Sequence, residues 1–592
     1  MKKIKIYAGA LIVSLLGMTA CTDLDEEVFD RVDASVYYQD ENSIKGAISA
    51  VYASAAAGFL EYFWYMNEFS ADQVTWRTWN GGQWGWDEAN KFVLSSQTWN
   101  SESLIINQAW QKAWTTIGLC NNIINDLESI DPASIKVDPV KYKEYIAEVR
   151  TMRAWAMYNN FELWGGSLPI NTKAGGEVNG SAGEDFDSGC REIFKFISDE
   201  LDLACPDMIL ESGNTRTRLT QGMNRMLKMR LLLNAEVLIG EAHFDECETL
   251  AREIINGDYG NYQLATDYRQ IFSYGNEKCA EIVFAFAEER GKLSNNNRNT
   301  PFLPYNYFDF VGGTYESSGW NCICLVPSFD NYGVVLPDGG TDNPRSFVTY
   351  YGDKLGAIYE RFNDKDIRKK PFHCDASGNW EGIFLIGAQK DYNTGDAVLA
   401  DADREGEPLV YVDQLGTFKN LGRSLETVMS PRWGETNSGY RLLKYPIYPE
   451  AYGVDFVNIS EVEFRLAEAY YTLAECLMRK GLTDDAKEWV NKVYSRYFTD
   501  KSAVNTPGKG FDAFDMDWML SQWGVEFLNE GRRRRMDLRR FDKFTQGQWW
   551  FYGRATEDGY DLPAKRDRKY EWFPLPATAI MVNSGLRQVP NY

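Results

Sequence analysis

Histidine is nearly absent from this chain: its 592 residues include two, His243 and His373. Their distance in sequence excludes a helical H-E-x-x-H metalloprotease, and their number excludes a histidine-rich zinc site. Positive charge is also scarce. Lys and Arg total 62 against 85 Asp and Glu, a formal net charge of −23. Phosphate-backbone binding needs a basic footprint, so nucleic acid is not an expected partner. The ten cysteines contain no C-x-x-C pair, and only Cys322 and Cys324 lie close together. A chain of this length needs no disulfide scaffold, so most thiols are expected to be small buried apolar groups. Catalytic signatures are missing too: there is no G-x-S-x-G, no P-loop and no zinc-ligand spacing. Abundant carboxylates make a glycosidase pair possible by chance alone, so abundance is no argument for a glycoside hydrolase. Asp401, Asp403, Glu405 and Gly406 partly mimic a calcium loop, but Val412 occupies the position that requires a bidentate Glu. That excludes an EF-hand and leaves other calcium geometries open. No cofactor is expected.

What is present begins with a targeting segment. Lys2, Lys3 and Lys5 form a basic head, followed by an apolar stretch from Ile6 to Met18. This stretch has the length of a signal-peptide core and is too short for a mature membrane span. Thr19 and Ala20 then precede Cys21. The segment resembles a bacterial lipobox, with Met18 where Leu is usual; the alternative is an ordinary secretory signal with an incidental Cys. Asp23, Asp25, Glu26 and Glu27 make a solvated acidic tether, and their place behind the Cys resembles the surface-export signal of Bacteroidota lipoproteins. No second apolar run reads as a membrane helix, so contact with the membrane is expected through the lipid alone. The 44% apolar fraction of the chain excludes global disorder.

Helical periodicity runs through much of the remainder. Ile106, Trp110, Ala113, Ile117, Cys120, Ile124 and Leu127 recur by threes and fours on one face. Ile146, Val149, Met152 and Ala156 do the same before Gly165-Gly166. Thr220 is placed to cap a helix bearing Met223, Leu227, Leu231, Ala235 and Leu238, ended by Gly240. Phe244, Cys247, Ala251, Ile254 and Ile255 form a partner stripe. A similar pair recurs around Leu466–Leu477 and Ala486–Tyr497, with Gly481 as the break and Thr483 as the predicted cap. These read as helix hairpins similar to tetratricopeptide units, irregularly spaced rather than tandem; a generic α-bundle is the alternative.

Between Glu288 and Asp455 the helical period fades, and Gly, Asn, Asp, Pro, Trp and Tyr dominate. Glu281 to Ala287 reads as a short strand at its border. A loop-rich insertion of this length between helical segments is more often functional than idle. The expected division is a signal peptide at 1–20, an acidic tether at 21–40, a helical scaffold at 41–287, an insertion lobe at 288–455, and a C-terminal helical segment at 456–592.

The C-terminal third carries more specific patterns. Glu461 to Gly481 reads EVEFRLAEAYYTLAECLMRKG, Val525 to Phe544 reads VEFLNEGRRRRMDLRRFDKF, and Trp572 to Tyr592 reads WFPLPATAIMVNSGLRQVPNY. With EVRTMRAWAMYNNFELWGGSLPI at Glu148 to Ile170, these motifs and their order resemble the RagB/SusD family of outer-membrane nutrient-binding lipoproteins. One departure is the end, Val589-Pro590-Asn591-Tyr592, where the family has N-P-G-Y. The resemblance implies a mainly α fold: a tetratricopeptide-like helix-pair scaffold with a loop-rich variable lobe containing short strands. It also implies a SusC-type TonB-dependent outer-membrane transporter as partner, and binding of oligosaccharides, or in some members peptides, without catalysis. Localisation would be the outer membrane, lipid-anchored and facing the exterior.

Two stretches are candidate ligand sites. Trp64, Trp76, Trp79, Trp84, Trp86 and Trp99 crowd the window Glu61 to Asn100, interleaved with Gly81, Gly82 and Gly85. Such a stretch is no amphipathic helix and reads as a loop presenting flat side chains. Indoles stack on the C–H-rich faces of sugars, while Asp72, Arg77, Asn80 and Asp87 offer polar contacts. Trp64 and Trp99, next to helical stretches, are expected in the core; Trp79, Trp84 and Trp86 are expected at the ligand. The second stretch holds Tyr305, Tyr307, Phe308, Tyr315 and Trp320, with Tyr315 and Trp320 favoured. The two loops, distant in sequence, are expected to build one platform; local packing within a long loop is the alternative. The arginine run Arg532–Arg535 with Arg539 and Arg540 is expected to be structural, ion-paired with Glu526, Glu530 and Asp537 within helical reach.

Lipidation at Cys21 generates the first test. Cys21→Ala is expected to lose metabolic labelling by fatty acid and to leave the outer-membrane fraction. A variant that keeps both its surface protease sensitivity and its membrane association would reject the anchor.

Overall fold

The structure is a computed structural model, and it describes residues 34–77, 85, 90–95, 97–174, 178–211, 213, 215–288, 301–310, 319–326, 356, 358–375, 377–411, 436–437, 439–446, 459–508, 510–547, 554–556, 559–561 and 566–592. Cys21 and most of the acidic tether lie outside them.

Helix α1 (Glu41–Gly58) starts on a reciprocal cap: the Asp40 carboxylate accepts from Ser43 N, and the Ser43 side chain serves the Asp40 backbone. The chain continues through a π-helical turn, Phe59–Phe63, into α2 (Trp64–Phe69). The whole run Glu41–Phe69 is long and apolar enough to cross a membrane by length and composition, contrary to the sequence reading. Half of its most apolar window is nevertheless buried inside the protein, where α1 packs against α3 (Leu104–Ser129) and α4 (Pro139–Trp164). The stripe beginning at Ile106 is the buried face of α3. Asp138 caps α4 by accepting from Val140 N and Lys141 N, with Pro139 in the first turn, where its missing N–H costs nothing.

Helix α4 ends at Gly165, as its double glycine predicts. Gly165 has φ +53°, and a Cβ on Gly166 would run into the Phe186 carbonyl. Only glycines allow this end of α4 to meet the start of α5 (Phe186–Ala204). Thr220 caps α6 (Gln221–Leu233) by accepting from Met223 N at 3.4 Å. Helix α6 pairs with α7 (Phe244–Asn256). The later hairpin is α8 (Ala467–Arg479) with α9 (Thr483–Tyr494). Thr483 does not cap α9. In the short link Lys480–Leu482, Leu482 N donates to Leu477 O, and Leu482 takes the cap position. Asp484 and Asp485 still lie in the first turn near the positive helix end.

Helix α7 packs against α8, so two hairpins distant in sequence stack directly. The lobe between them is pinched off by a strand pair: β2 (Ile282–Phe286) runs antiparallel to β4 (Glu461–Arg465), both fully buried. The free cysteines among the described residues are buried except the half-buried Cys279, as a chain without a disulfide scaffold predicts. The C-terminal turn places Asn591 at φ +70°. This is the left-handed region that Gly occupies readily and that Asn tolerates among L residues.

The arginine run is structural, but its partners differ from those expected. It falls at and within α11 (Arg534–Arg540). Arg532 reaches Glu463 at 2.6 Å, Arg533 reaches Glu468 at 3.1 Å, and Arg540 forks onto both oxygens of Glu475. Arg535 and Arg539 donate to the backbone carbonyl of Glu162. Asp537 is the one expected local partner that holds, receiving Arg533 and Arg540. Glu526, at the end of α10 (Met516–Glu526), and Glu530 are taken instead by Arg465, Arg496, Arg368 and Lys444.

Glu475 makes a direct test of this network. Burial alone would raise its carboxyl; the guanidinium groups of Arg540 and Arg479 outweigh it and bring the pKa to about 2. This lies below the unfolded value of about 4.3. Its contribution is therefore complete above that pH and is lost as the pH falls toward 2. Glu475→Gln is expected to cost about 3–5 kcal/mol at pH 7, with the gap to wild type closing below pH 4 in denaturation midpoints. An equal gap at pH 3 and pH 7 would refute the ionic account.

Candidate functional site

The Trp-rich segment leaves α2 through a tight turn and enters β1 (Val74–Trp76). Strand β1 pairs antiparallel with β3 (Ile323–Leu325) from the insertion lobe, with Val74 opposite Leu325 and Trp76 opposite Ile323. The pairing extends at both ends, where Arg77 N donates to Cys322 O at 2.7 Å and Val326 N to Gln73 O at 2.8 Å. Leu325 N donates to Tyr440 O, and Asn321 N to Leu303 O. Four stretches remote in sequence are thus tied by backbone hydrogen bonds at one place.

Aromatic side chains gather at this junction. Trp76 is buried; its indole N–H donates to Gly85 O at 2.7 Å, and the Lys91 ammonium lies 4.5 Å from its ring centre. Lys91 also lies over Tyr65, 4.9 Å from its centre, a placement that favours a cation. Trp320 meets Trp76 at 6.4 Å between centres and 65° between planes, yet is 44% exposed. Tyr305 is 52% exposed on the adjoining segment. Gly319 brings the two segments together, for a Cβ there would strike the Pro304 carbonyl. The described junction therefore offers two exposed aromatic side chains, Trp320 against the buried Trp76 and Tyr305 on the adjoining segment. Tyr307 and Phe308, from the same cluster, are buried, and Asn306 spends its amide on Asp309 and on Leu399 O.

The expected polar contacts lie deeper. Asp72 is 2% exposed. Its carboxylate receives Arg534 Nε at 2.7 Å, Arg534 Nη2 at 2.9 Å and Gly356 N at 3.1 Å. Burial would raise this carboxyl, but the Arg534 and Arg361 guanidiniums hold it below the usual range. Both oxygens are committed inside the protein, so Asp72 fastens the loop to α11 and is not presented to a ligand. Arg77 is fully buried and donates to Asn321 Oδ1 at 2.6 Å, as Arg441 does at 2.9 Å. Burial, then the charge of Arg77, push Arg441 below its ordinary range, although a guanidinium stays protonated at neutral pH. Arg77 thus joins the two loops from beneath. Trp64 and Trp99 are core residues, as expected: Trp64 donates to Asn529 Oδ1 and Trp99 to Tyr592 Oη, each at 2.7 Å. Trp79, Trp84, Trp86 and Tyr315, together with Asn80 and Asp87, lie outside the described residues.

Sequence reasoning ranked Tyr305 low and missed Lys91. Alternation in the aromatic cluster carries no exposure signal, and nothing local marks Lys91 as the cation over Trp76. Among the described residues no group of three or more His, Cys, Asp or Glu side chains is placed to hold a metal.

Stacked helix hairpins bearing an inserted lobe, with open rings where lobe and scaffold meet, define a binding protein built on a helical-repeat frame. Residues 280–592 match the family model described as the SusD family. This is more than half of the chain, and the chain belongs to that family. It is 22% identical to the starch-binding protein SusD of Bacteroides thetaiotaomicron over 621 residues, covering 99% of this chain and 98% of that protein. Its fold is similar to surface glycan-binding protein A from Bacteroides fluxus, with a TM-score of 0.61 and 18% identity over 93% of this chain and 99% of the other. The fold is also similar to surface glycan-binding protein A from Bacteroides thetaiotaomicron in complex with laminarihexaose. That match has a TM-score of 0.60 and 16% identity, over 93% of this chain and 100% of the other.

The two sides of the junction separate by mutation. Asp72→Ala leaves Arg534 buried without its carboxylate and is expected to cost about 3–5 kcal/mol of stability, read by thermal unfolding. Unfolding unchanged from wild type would return Asp72 to the list of ligand contacts.

Proposed function

We propose that this chain is a cell-surface glycan-binding lipoprotein whose ligand lies across the rings exposed at the β1–β3 junction. The observation that carries the reading is Trp320. Its indole is backed edge-on by buried Trp76 and remains open on its outer side. A large flat ring held rigid and left in solvent loses little freedom on binding. Sugar rings present C–H-rich faces that suit such a surface. Tyr305 adds a second ring with a phenol tip, and Trp79, Trp84, Trp86 and Tyr315 complete the proposed contact set. Asp72 and Arg77 serve beneath it as positioning residues. The printed names of the relatives, starch-binding and surface glycan-binding, support the same ligand class. A cavity of about 670 Å³ lies on the α1–α4 face of the scaffold, but it offers no exposed indole, so the rings at the junction locate the proposed site.

The rest of the proposal follows from the sequence. Binding proceeds without catalysis and without a cofactor, in keeping with the missing catalytic motifs. The chain is anchored through lipid on Cys21 at the outer membrane and faces outward. It delivers its ligand to a SusC-type TonB-dependent transporter, because a tethered binder cannot itself move a large ligand inward.

A glycan array followed by calorimetry tests the site. Stacking on an aromatic platform is worth about 1–3 kcal/mol by alanine substitution in the comparable case of nucleic-acid bases. Trp320→Ala is therefore expected to weaken the array hit about tenfold with little change in unfolding temperature. A folded Trp320→Ala protein with wild-type affinity overturns the site, and binding of peptides alone overturns the ligand class.

A further inference from the structure

A second concavity lies on the scaffold. It is walled by α1 from Lys45 to Ala56, by α4, by the stretch before α6 and by the end of β2, and holds about 670 Å³. That volume suits a small molecule rather than an extended chain. It is also remote from the rings: Tyr52 precedes the end of α2 by a helical length of roughly 25 Å.

The walls are apolar, from Ile48, Ala53, Ala56 and Phe286. The polar end is a connected cluster. Glu148 is buried on α4; its Oε1 receives the Tyr52 hydroxyl at 2.6 Å, and its Oε2 receives Arg218 Nε at 2.7 Å. Tyr52 Oη in turn accepts from Leu219 N at 2.9 Å. Burial raises the Glu148 carboxyl above its ordinary range, although Arg218 and Tyr52 act to lower it. Arg218 Nη2 also faces Glu148 at 2.7 Å. Among the described residues, Arg218 Nη1 donates to nothing, and the guanidinium is partly exposed at the cavity. The Lys45 side chain is 54% exposed, and its ammonium pairs with Glu41 at 2.8 Å. Both Glu148 oxygens are occupied, so the unspent capacity of this cavity is in N–H donors beside hydrocarbon.

We propose that this cavity is a separate small-molecule site for a carboxylate attached to a short apolar group. The carboxylate would take the free edge of Arg218, since a guanidinium fork matches two oxygens, and the apolar part would lie along Ala53, Ala56 and Phe286. The site is independent of the glycan platform.

Hexanoate is the probe, with 1-hexanol as the uncharged control of equal chain length. Calorimetry on the full mature protein is expected to detect hexanoate binding at least tenfold tighter than hexanol. Ala53→Phe fills the mouth from an exposed helix position without touching the polar cluster; it is expected to abolish hexanoate binding and leave unfolding unchanged. Arg218→Gln is expected to weaken hexanoate about tenfold and leave hexanol unaffected. Neither variant should change affinity for the glycan that the Trp320 platform binds. Absence of hexanoate binding, equal binding of hexanoate and hexanol, or wild-type hexanoate binding by the folded Ala53→Phe protein each overturns the proposal.

Discussion

Arg465 donates to three carboxylates at once, Glu281, Glu526 and Glu530, while itself only 2% exposed. Everything else in the architecture hangs on this arrangement. Glu526 also receives Arg496 and the Tyr497 hydroxyl, at 2.9 and 2.8 Å, and Arg368 from the insertion lobe at 3.2 Å. Glu530 receives Lys444 from the same lobe. A buried charge without a partner costs far more than a satisfied one returns. These groups therefore permit one relative placement of β4, α10 and the inserted lobe. Glu526 shows the balance: burial would raise its carboxyl, and the surrounding guanidiniums hold it far below the usual range.

That fixed placement bears directly on the proposed loop-borne site. The rings at Trp320 and Tyr305 lie on irregular backbone, which ordinarily moves too freely to hold a flat ligand face. Here the backbone is tied to β1 by the β1–β3 ladder, to α11 through Asp72 and Arg534, and across its underside by Asn321 between Arg77 and Arg441.

The two concave features divide the chemistry. The ring platform is open, aromatic and placed where scaffold and lobe meet. The α1–α4 cavity is a partly open concavity lined by Ile48, Ala53, Ala56 and Phe286 together with Lys45, Glu148 and Arg218. A pocket of this volume suits a small ligand.

Local physics was readable in the chain. The stripe from Ile106 to Leu127, the Thr220 cap, the stop at Gly165-Gly166 and the strand at Ile282–Phe286 depend on residues within a turn or two of each other, so periodicity and capping reveal them. The two aromatic stretches are joined at their backbones by β1 against β3. Exposure was not readable. Tyr305 and Tyr307 stand two residues apart with the same side chain, yet one is 52% exposed and the other fully buried. The fates of the charges were equally hidden. Asp72 meets Arg534 across 462 residues, and Arg532 finds Glu463 rather than its helical neighbours. Amino-acid type and spacing determined the helices and the supply of rings and charges. Only tertiary packing decided which rings face water and which charges are consumed, because burial and pairing depend on partners brought together from far along the chain.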